Sequence, residues 1–80
     1  MVCVYVLKSL SDGILYVGIS EDINRRLTEH NQGKSKFTSG HRPWEVIYKE
    51  EFPDYETARQ REKYFKTTSG RRYLKKLLFS

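Results

Sequence analysis

The pattern of apolar and polar positions predicts a β-hairpin at the start of the chain. Residues 2–7 are almost all β-branched or aromatic, which indicates a strand buried on both faces. The segment Ser11-Asp12-Gly13 is typical of a turn, and residues 14–19 form the partner strand. Because side chains alternate along a strand, two faces are expected there: Leu15, Val17 and Ile19 on one, and Tyr16, Gly18 and Ser20 on the other.

A helix is predicted directly after the hairpin. Ser20 is a suitable N-cap for a helix over residues 21–32, and Gly33 is a suitable C′ residue. Arg26 and His30 are spaced by four, so they share one stripe of this helix. That stripe is expected to border the sheet.

A basic loop and a third strand follow. Residues 34–43 are rich in Gly, Ser and Lys and are expected to be mobile. Residues 44–52 return to a strand pattern, with three apolar side chains predicted on one face: Trp44, Val46 and Tyr48.

Two more helices are predicted at the carboxyl end. Asp54 is a good N-cap for a helix over residues 55–66, and Ser69 for a short last helix. Four side chains of the last helix are expected to point inward: Tyr73, Leu74, Leu77 and Leu78. These elements predict one α/β (α+β) domain over residues 1–80.

Composition and charge narrow the possible functions. A chain of 80 residues is too small to enclose a deep cavity, so an active site is expected on an open face of the domain. The net charge is +5, and no acidic residue follows Glu62. Two groups of basic residues favour binding to a polyanion such as DNA. The alternative is that they only keep the protein soluble. The groups are Lys34, Lys36, His41 and Arg42 in the loop, and Lys63, Lys66, Arg71 and Arg72 near the end.

The single cysteine and the short apolar runs indicate a cytoplasmic protein. Cys3 has no partner for an internal disulfide, which suits a reducing compartment. The run 2–7 is far too short to span a membrane and lacks the basic leader of a signal peptide.

Glu62 is the first residue whose position suggests chemistry. It lies on the stripe of the second long helix that also carries Tyr55, Ala58 and Phe65. Burying a carboxylate on that stripe costs free energy of folding unless a cation pairs with it. The cation is either an arginine, for which Arg26 is the candidate, or a hard metal such as Mg²⁺.

Four further side chains are candidates for one site. Tyr5 and Tyr16 lie on the two paired strands of the hairpin, where they either pack or bring two phenols together. A phenol is a usable base near neutral pH only if positive charge lowers its pKa. Arg26 is a candidate phosphate clamp, and His30 either relays a proton or is only a hydrogen-bonded neighbour.

At these positions the chain resembles the GIY-YIG nuclease superfamily. Tyr5, the run Tyr16-Val17-Gly18, Arg26, His30 and Glu62 occur in the order and spacing of that family. Three segments are similar to its short stand-alone bacterial members, which are themselves similar to the amino-terminal nuclease domain of the excision-repair endonuclease: residues 15–20, 25–31 and 61–66. Cys3 and Val4 replace the first glycine and isoleucine, and Ile19 stands where repair members have lysine.

The resemblance implies a three-stranded antiparallel sheet flanked by helices, and Mg²⁺- or Mn²⁺-dependent hydrolysis of DNA. It implies that Tyr5 and Tyr16 orient or deprotonate the attacking water, and that His30 supports them. Arg26 would stabilise the transition state, and Glu62 would hold the metal. The expected function is a DNA endonuclease with little sequence preference, acting on branched or damaged DNA, in repair or recombination. The alternatives are a catalytically weak DNA-binding module that acts with protein partners, and a structural domain.

Overall fold

Three strands and four helices follow one another in the computed structural model, which describes residues 1–79. In chain order they are β1 (Val2–Ser9), β2 (Leu15–Ser20), α1 (Ile23–Asn31), α2 (Lys36–Ser39), β3 (Trp44–Phe52), α3 (Tyr55–Phe65) and α4 (Thr68–Phe79). Residue 80, the last of the predicted single domain, lies outside the described residues. No helix within residues 1–79 is both long and apolar enough to cross a membrane.

The sheet has the order β2-β1-β3, and both strand pairs are antiparallel. This confirms the predicted three-stranded sheet. β1 is central and its apolar run is buried on both faces, as its unbroken hydrophobicity predicts. β2 is an edge strand, so the two faces of the sheet meet along its outer side.

The two faces of the sheet pack against different helices. On one face, the even-numbered valines of β1 pack against α3 and α4, where Ala58, Phe65 and Leu74 are buried. On the other face, Tyr5, Leu7 and Trp44 form a second core, which Ile23 and Leu27 of α1 cover. The second core carries most of the predicted site.

A β-bulge in β3 corrects the predicted face of one residue. Val6 pairs with Tyr48 and Leu7 pairs with Val46, so Ile47 is the extra residue. The alternation therefore shifts by one: Val46 packs in the core beneath α1, whereas Ile47 and Tyr48 pack against α3 and α4. The prediction that Trp44, Val46 and Tyr48 share a face is wrong for Tyr48.

The helix ends follow the local sequence, with one change at α1. Asp22, not Ser20, is the N-cap, and its carboxylate accepts from the Arg25 N–H. The Ser20 hydroxyl instead accepts from the Asp22 N–H, one step before the helix. Gly33 has φ +79°, as predicted for a C′ residue, and the Lys34 N–H reaches the Glu29 carbonyl to close a Schellman motif.

The last helix is longer and more exposed than predicted. It has 12 residues, and the hydroxyl of Thr67, not Ser69, accepts from the N–H of Gly70 at its start. Leu74 is buried as expected, but Tyr73 and Leu77 are exposed. The inward prediction is wrong for these two residues, because α4 touches the domain along a narrow stripe.

Candidate active site

Tyr5 lies at the middle of the site because Gly18 leaves room for its ring. The two residues are opposite each other in the β1–β2 pairing, on the face covered by α1. A Cβ at position 18 would lie 2.5 Å from the Tyr5 hydroxyl oxygen and 3.2 Å from the Tyr16 ring. The ring of Tyr5 thus crosses β2 where that strand has no side chain, which directs the hydroxyl toward the edge of the sheet.

A hydrogen-bonded chain runs from this hydroxyl into the protein. The Tyr5 oxygen is 3.3 Å from Nε2 of His30, and Nδ1 of His30 is 2.8 Å from the Thr38 hydroxyl. All three residues are buried. The Thr38 hydroxyl has the Ser35 carbonyl as its own acceptor, at 3.5 Å. This network assigns the ring proton to Nδ1, so that Nε2 accepts from the Tyr5 hydroxyl.

The same surroundings keep His30 neutral. Burial lowers the pKa of His30 below its ordinary value, and the positive charge of Arg26 lowers it further, whereas Glu29 opposes the change. Neutral imidazole is the form with a free acceptor nitrogen. His30 therefore receives the Tyr5 hydrogen bond throughout the neutral pH range.

Tyr5 is less acidic than a free phenol. Burial raises the pKa of Tyr5, Arg26 lowers it by a smaller amount, and the nearby Tyr16 and Glu62 raise it again. Positive charge from Arg26 alone therefore does not make Tyr5 a base. Arg26, Tyr16 and Glu62 are thus close enough to the Tyr5 hydroxyl to influence its pKa.

Tyr16 lies beside Tyr5 and is partly open to solvent. Its ring meets the edge of His30, with centroids 5.0 Å apart, and it also contacts Trp44 and Phe37. Packing against three rings fixes the phenol in place.

Arg26 is close to Tyr5 but bound to a different acid from the one expected. Its guanidinium donates to Glu29 over 2.6 Å, one turn along α1. The hydrogen bond to Glu29 is the largest cause that raises the pKa of Arg26, and Tyr5 raises this pKa further. The sequence pattern missed Glu29, because an i, i+3 pair on a charged helix surface is common.

Glu62 is half-buried on α3, which packs against the opposite face of the sheet. Its side chain is 18% exposed and pairs with Nζ of Lys66, 3.3 Å away and itself 50% exposed. The alternative of a buried Arg26–Glu62 ion pair is therefore wrong. Glu62 nevertheless acts on the Tyr5 hydroxyl by charge, which is consistent with its lying near the β2 edge, where the faces meet.

The arrangement fits a site with a single carboxylate. Among residues 1–79, no group of three or more His, Cys, Asp or Glu side chains forms a metal cage. Mg²⁺ commonly binds to one or two carboxylates and completes its octahedron with water and substrate phosphate. Glu62 suits that mode, since it is paired with the side chain of Lys66, which is 50% exposed.

His30 contacts both Tyr5 and Tyr16 in the structure, and Arg26 and Glu62 influence the pKa of Tyr5. The roles of these five residues remain predictions.

The structure adds Thr38, which lies in the segment predicted to be a mobile loop. That loop in fact contains the one-turn helix α2, and two hydrogen bonds of Thr38 hold this helix in place. The Thr38 hydroxyl bonds to Nδ1 of His30, and the Thr38 carbonyl accepts from the indole N–H of Trp44 at 2.8 Å. A four-residue helix is too short to show a periodic pattern.

The predicted DNA-binding residues fall into two surface groups. In the first group, near α2, Lys34, Lys36 and Arg42 are exposed. Nδ1 of His41 in this group lies 2.5 Å from the Asp12 carboxylate. In the second, on α3 and α4, Lys63 is exposed, Lys66 is paired with Glu62, and Arg71 and Arg72 line an open pocket of about 270 Å³ with Thr68 and Lys75. Their contacts with DNA remain predictions.

Comparison with known proteins gives a consistent result. The family model of the GIY-YIG catalytic domain matches residues 1–76. A UPF0213 protein of Staphylococcus epidermidis is 40% identical over 90% of this chain and 88% of its own length. A UPF0213 protein of Staphylococcus aureus is 37% identical over the same shares.

A solved structure also has this fold. The solution NMR structure of a UPF0213 protein from Bacillus halodurans is 32% identical, covers 96% of this chain and 85% of that one, and superposes with a TM-score of 0.57. The sheet order, the position of Tyr5 over Gly18 and the match over residues 1–76 agree with the resemblance seen in the sequence. The chain belongs to the family of GIY-YIG catalytic domains, which are nucleases.

Proposed function

We propose that this protein is a divalent-metal-dependent DNA endonuclease that hydrolyses phosphodiester bonds with little sequence specificity. The observation that carries the proposal is the environment of one hydroxyl group. The Tyr5 oxygen contacts Nε2 of His30 at 3.3 Å and is within the electrostatic reach of Arg26, Tyr16 and Glu62. An acid, a guanidinium, an imidazole and two phenols near the sheet edge formed by β2 match the needs of phosphoryl transfer.

Glu62 is the proposed ligand of Mg²⁺ or Mn²⁺. When bound there, the ion would supply positive charge to the phosphate and to the leaving 3′ oxygen. Glu62 must first release Lys66, and this exposed i, i+4 pair is weak, about 0.3–0.5 kcal/mol. The carboxylate is therefore available to a cation at little cost.

Arg26 is the proposed phosphate clamp. Its guanidinium has five donors, of which Glu29 engages the Nη1 group. The remaining donors can bind the nonbridging oxygens of the scissile phosphate and stabilise the charge that develops in the transition state. Glu29 meanwhile competes with phosphate for the Nη1 group.

Tyr5 and His30 are proposed to orient the attacking water. Because the Tyr5 proton is donated to His30, the phenolic oxygen remains an acceptor for a proton of water. Full transfer of the Tyr5 proton to His30 is unfavourable in the free protein: the ordinary pKa values of the two groups differ by about 3.5, or about 5 kcal/mol, and both shifts widen the gap. Tyr16 offers the second phenol to the same water.

The exposed side chains suit contacts with the DNA backbone. The exposed basic residues near α2 and α4 are lysines and arginines, which can bind phosphates whatever the base sequence. We propose that a protein partner supplies any specificity, and that the role lies in DNA repair or recombination. The one cysteine, Cys3, is free and buried, which is consistent with a reducing compartment such as the cytoplasm.

Nicking of supercoiled plasmid DNA tests the proposal. With Mg²⁺, the wild type should nick the plasmid, and Glu62→Ala and Arg26→Ala should each lose at least about a hundredfold in rate. Glu56→Ala on the same helix and Arg25→Ala beside Arg26 are matched controls with exposed side chains, and should keep their activity.

A gel-shift assay with the same variants separates the enzyme from a DNA-binding module. DNA binding that persists in Glu62→Ala while nicking is lost supports the endonuclease. Binding without nicking in the wild type supports the binding module. Equal nicking in EDTA, or in both site variants, rules out the metal-dependent mechanism.

A further inference from the structure

An exposed aromatic ring lies beside the candidate site. Phe37, on the one-turn helix α2, is 56% exposed. Its ring centroid is 6.2 Å from that of Tyr16, with 30° between the ring planes, and 5.3 Å from that of His41. One face of a large apolar ring is therefore offered to the solvent next to a predicted catalytic tyrosine.

The fold does not account for this exposure. Phe37 belongs to neither of the two hydrophobic cores. The turn that carries it is already held by its neighbour Thr38, which bonds both to His30 and to the indole of Trp44. A single exposed apolar ring is common on protein surfaces, so the meaning of this one depends on the groups around it.

The charges around Phe37 fit a nucleic acid. Lys34, Lys36 and Arg42 are exposed on the same loop. The Arg42 guanidinium lies over Gly33, since a Cβ there would be 2.7 Å from its Nη1. A flat apolar ring among cations is the arrangement that binds one base by stacking and its neighbouring phosphates by charge.

We propose that Phe37, backed by Tyr16, is a stacking surface for an unpaired nucleobase beside the phosphodiester that is cleaved. A base within a continuous duplex is stacked on its neighbours and does not present its face to the protein. The favoured substrate class is therefore DNA with an unpaired nucleotide next to the cleaved bond. This inference rests on the proposed function.

Two DNA duplexes of the same sequence test the inference, one fully paired and one with a single unpaired 2-aminopurine. In Ca²⁺, the wild type should quench the fluorescence of the unpaired base. In Mg²⁺, the wild type should cleave the DNA with the unpaired base about tenfold faster than the paired one.

Three variants assign these effects to the ring. Phe37→Ala should abolish the quenching and the preference for the unpaired substrate, and Phe37→Trp should restore both. Phe79→Ala is the matched control, because Phe79 is 53% exposed and its ring lies under Lys8, at the far end of α4. Thermal melts of the variants check that they fold.

The outcomes separate this inference from the proposed function. Cleavage of both DNAs at equal rates, or an equal loss on both in Phe37→Ala, overturns the inference and leaves the endonuclease intact. Quenching that depends on Phe37 without any cleavage supports the stacking surface and contradicts the endonuclease.

Discussion

The Tyr5 ring lies over Gly18 on the neighbouring strand, so close that a Cβ at position 18 would be 2.5 Å from the Tyr5 hydroxyl oxygen and 2.6 Å from Cζ. Tyr5 is buried and has no room to retreat, because its hydroxyl is already bonded to His30. The glycine is thus a requirement of the site and not of a turn.

We expect Gly18→Ala to lower the nicking rate far more than the stability. The added methyl group displaces the Tyr5 hydroxyl from His30, while overpacking at one position costs about 1–3 kcal/mol. Plasmid nicking and urea unfolding measure the two effects on the same preparation. A variant that nicks DNA at the wild-type rate would show that the position of this hydroxyl does not matter.

Thr38→Val tests the assignment of the His30 tautomer. The change keeps the shape of the side chain and removes the hydroxyl that accepts from Nδ1. A buried N–H without an acceptor costs about 1–3 kcal/mol. The ring proton should therefore move to Nε2, and nicking should fall at least about tenfold.

Nitrogen NMR of the imidazole distinguishes this effect from simple destabilisation. In the wild type, Nδ1 should carry the proton, in Thr38→Val Nε2 should carry it, and Thr38→Ser should return it to Nδ1 with recovery of activity. An unchanged tautomer in Thr38→Val would refute the relay from Tyr5 to Thr38.

The elements with a repeating pattern were predictable from the sequence. The alternation in β2 correctly separated Leu15 from Tyr16, and the spacing of Arg26 and His30 correctly put both beside the sheet. Glu62 was identified because a carboxylate on an apolar stripe is unusual. These inferences depend only on the geometry of a single helix or strand.

The features that depend on contacts between elements were not predictable. The bulge at Ile47 interrupts the alternation of β3 without any proline or glycine to mark it. Thr67, Thr68 and Ser69 are all suitable caps by composition, and the structure shows that Thr67 accepts from the N–H of Gly70. Thr38 lies in a segment of loop-like composition, and its role follows from its contact with His30 on another helix.

Glu29→Gln should strengthen DNA binding by releasing Arg26. The carboxylate holds the guanidinium over 2.6 Å and competes with phosphate for it. The pair is partly exposed, so stability should change by less than about 1 kcal/mol. Fluorescence anisotropy at about 50 mM salt should show a severalfold lower Kd.

Glu45→Gln is the control, because Glu45 is exposed on β3 and its replacement changes the net charge equally. A gain of the same size in both variants would mean that net charge alone explains the effect, and Arg26 would then have no special part in binding phosphate.

The stability of the protein should fall on mild acidification because of His30. Burial holds the pKa of His30 below its ordinary value, so between that lowered pKa and about 6.5 the unfolded chain binds a proton that the folded protein does not. The free energy of unfolding therefore decreases as the pH falls below about 6.5, by up to about 1.4 kcal/mol per pH unit. It is unaffected by His30 above that range.

Urea unfolding at several pH values between about 5 and 8 measures this slope. His30→Gln should flatten it. The carboxylates with lowered pKa, such as Glu29 beside Arg26, lose their contribution only below about pH 4.5, so they do not mimic the effect. An equally steep slope in His30→Gln would contradict a neutral, buried imidazole.

Gly70→Ala should destabilise the fold through the contact between α3 and α4. A Cβ at position 70 would lie 1.8 Å from the carbonyl oxygen of Tyr64 and 2.7 Å from Cα of Phe65, both of them backbone atoms that cannot turn aside. The helix would have to move away and uncover Leu74, which is buried. Against this loss, the better helix propensity of alanine contributes only about 1 kcal/mol.

The matched control for this prediction is Gly40→Ala. Gly40 has φ −79° and ψ −6°, which alanine adopts freely, and a Cβ there would meet nothing within 4 Å. Urea unfolding should show a loss of at least about 2 kcal/mol for Gly70→Ala and no loss for Gly40→Ala. Equal stability of the two variants would mean that α4 is not packed closely against the end of α3. The glycine at position 70 would then have no structural role.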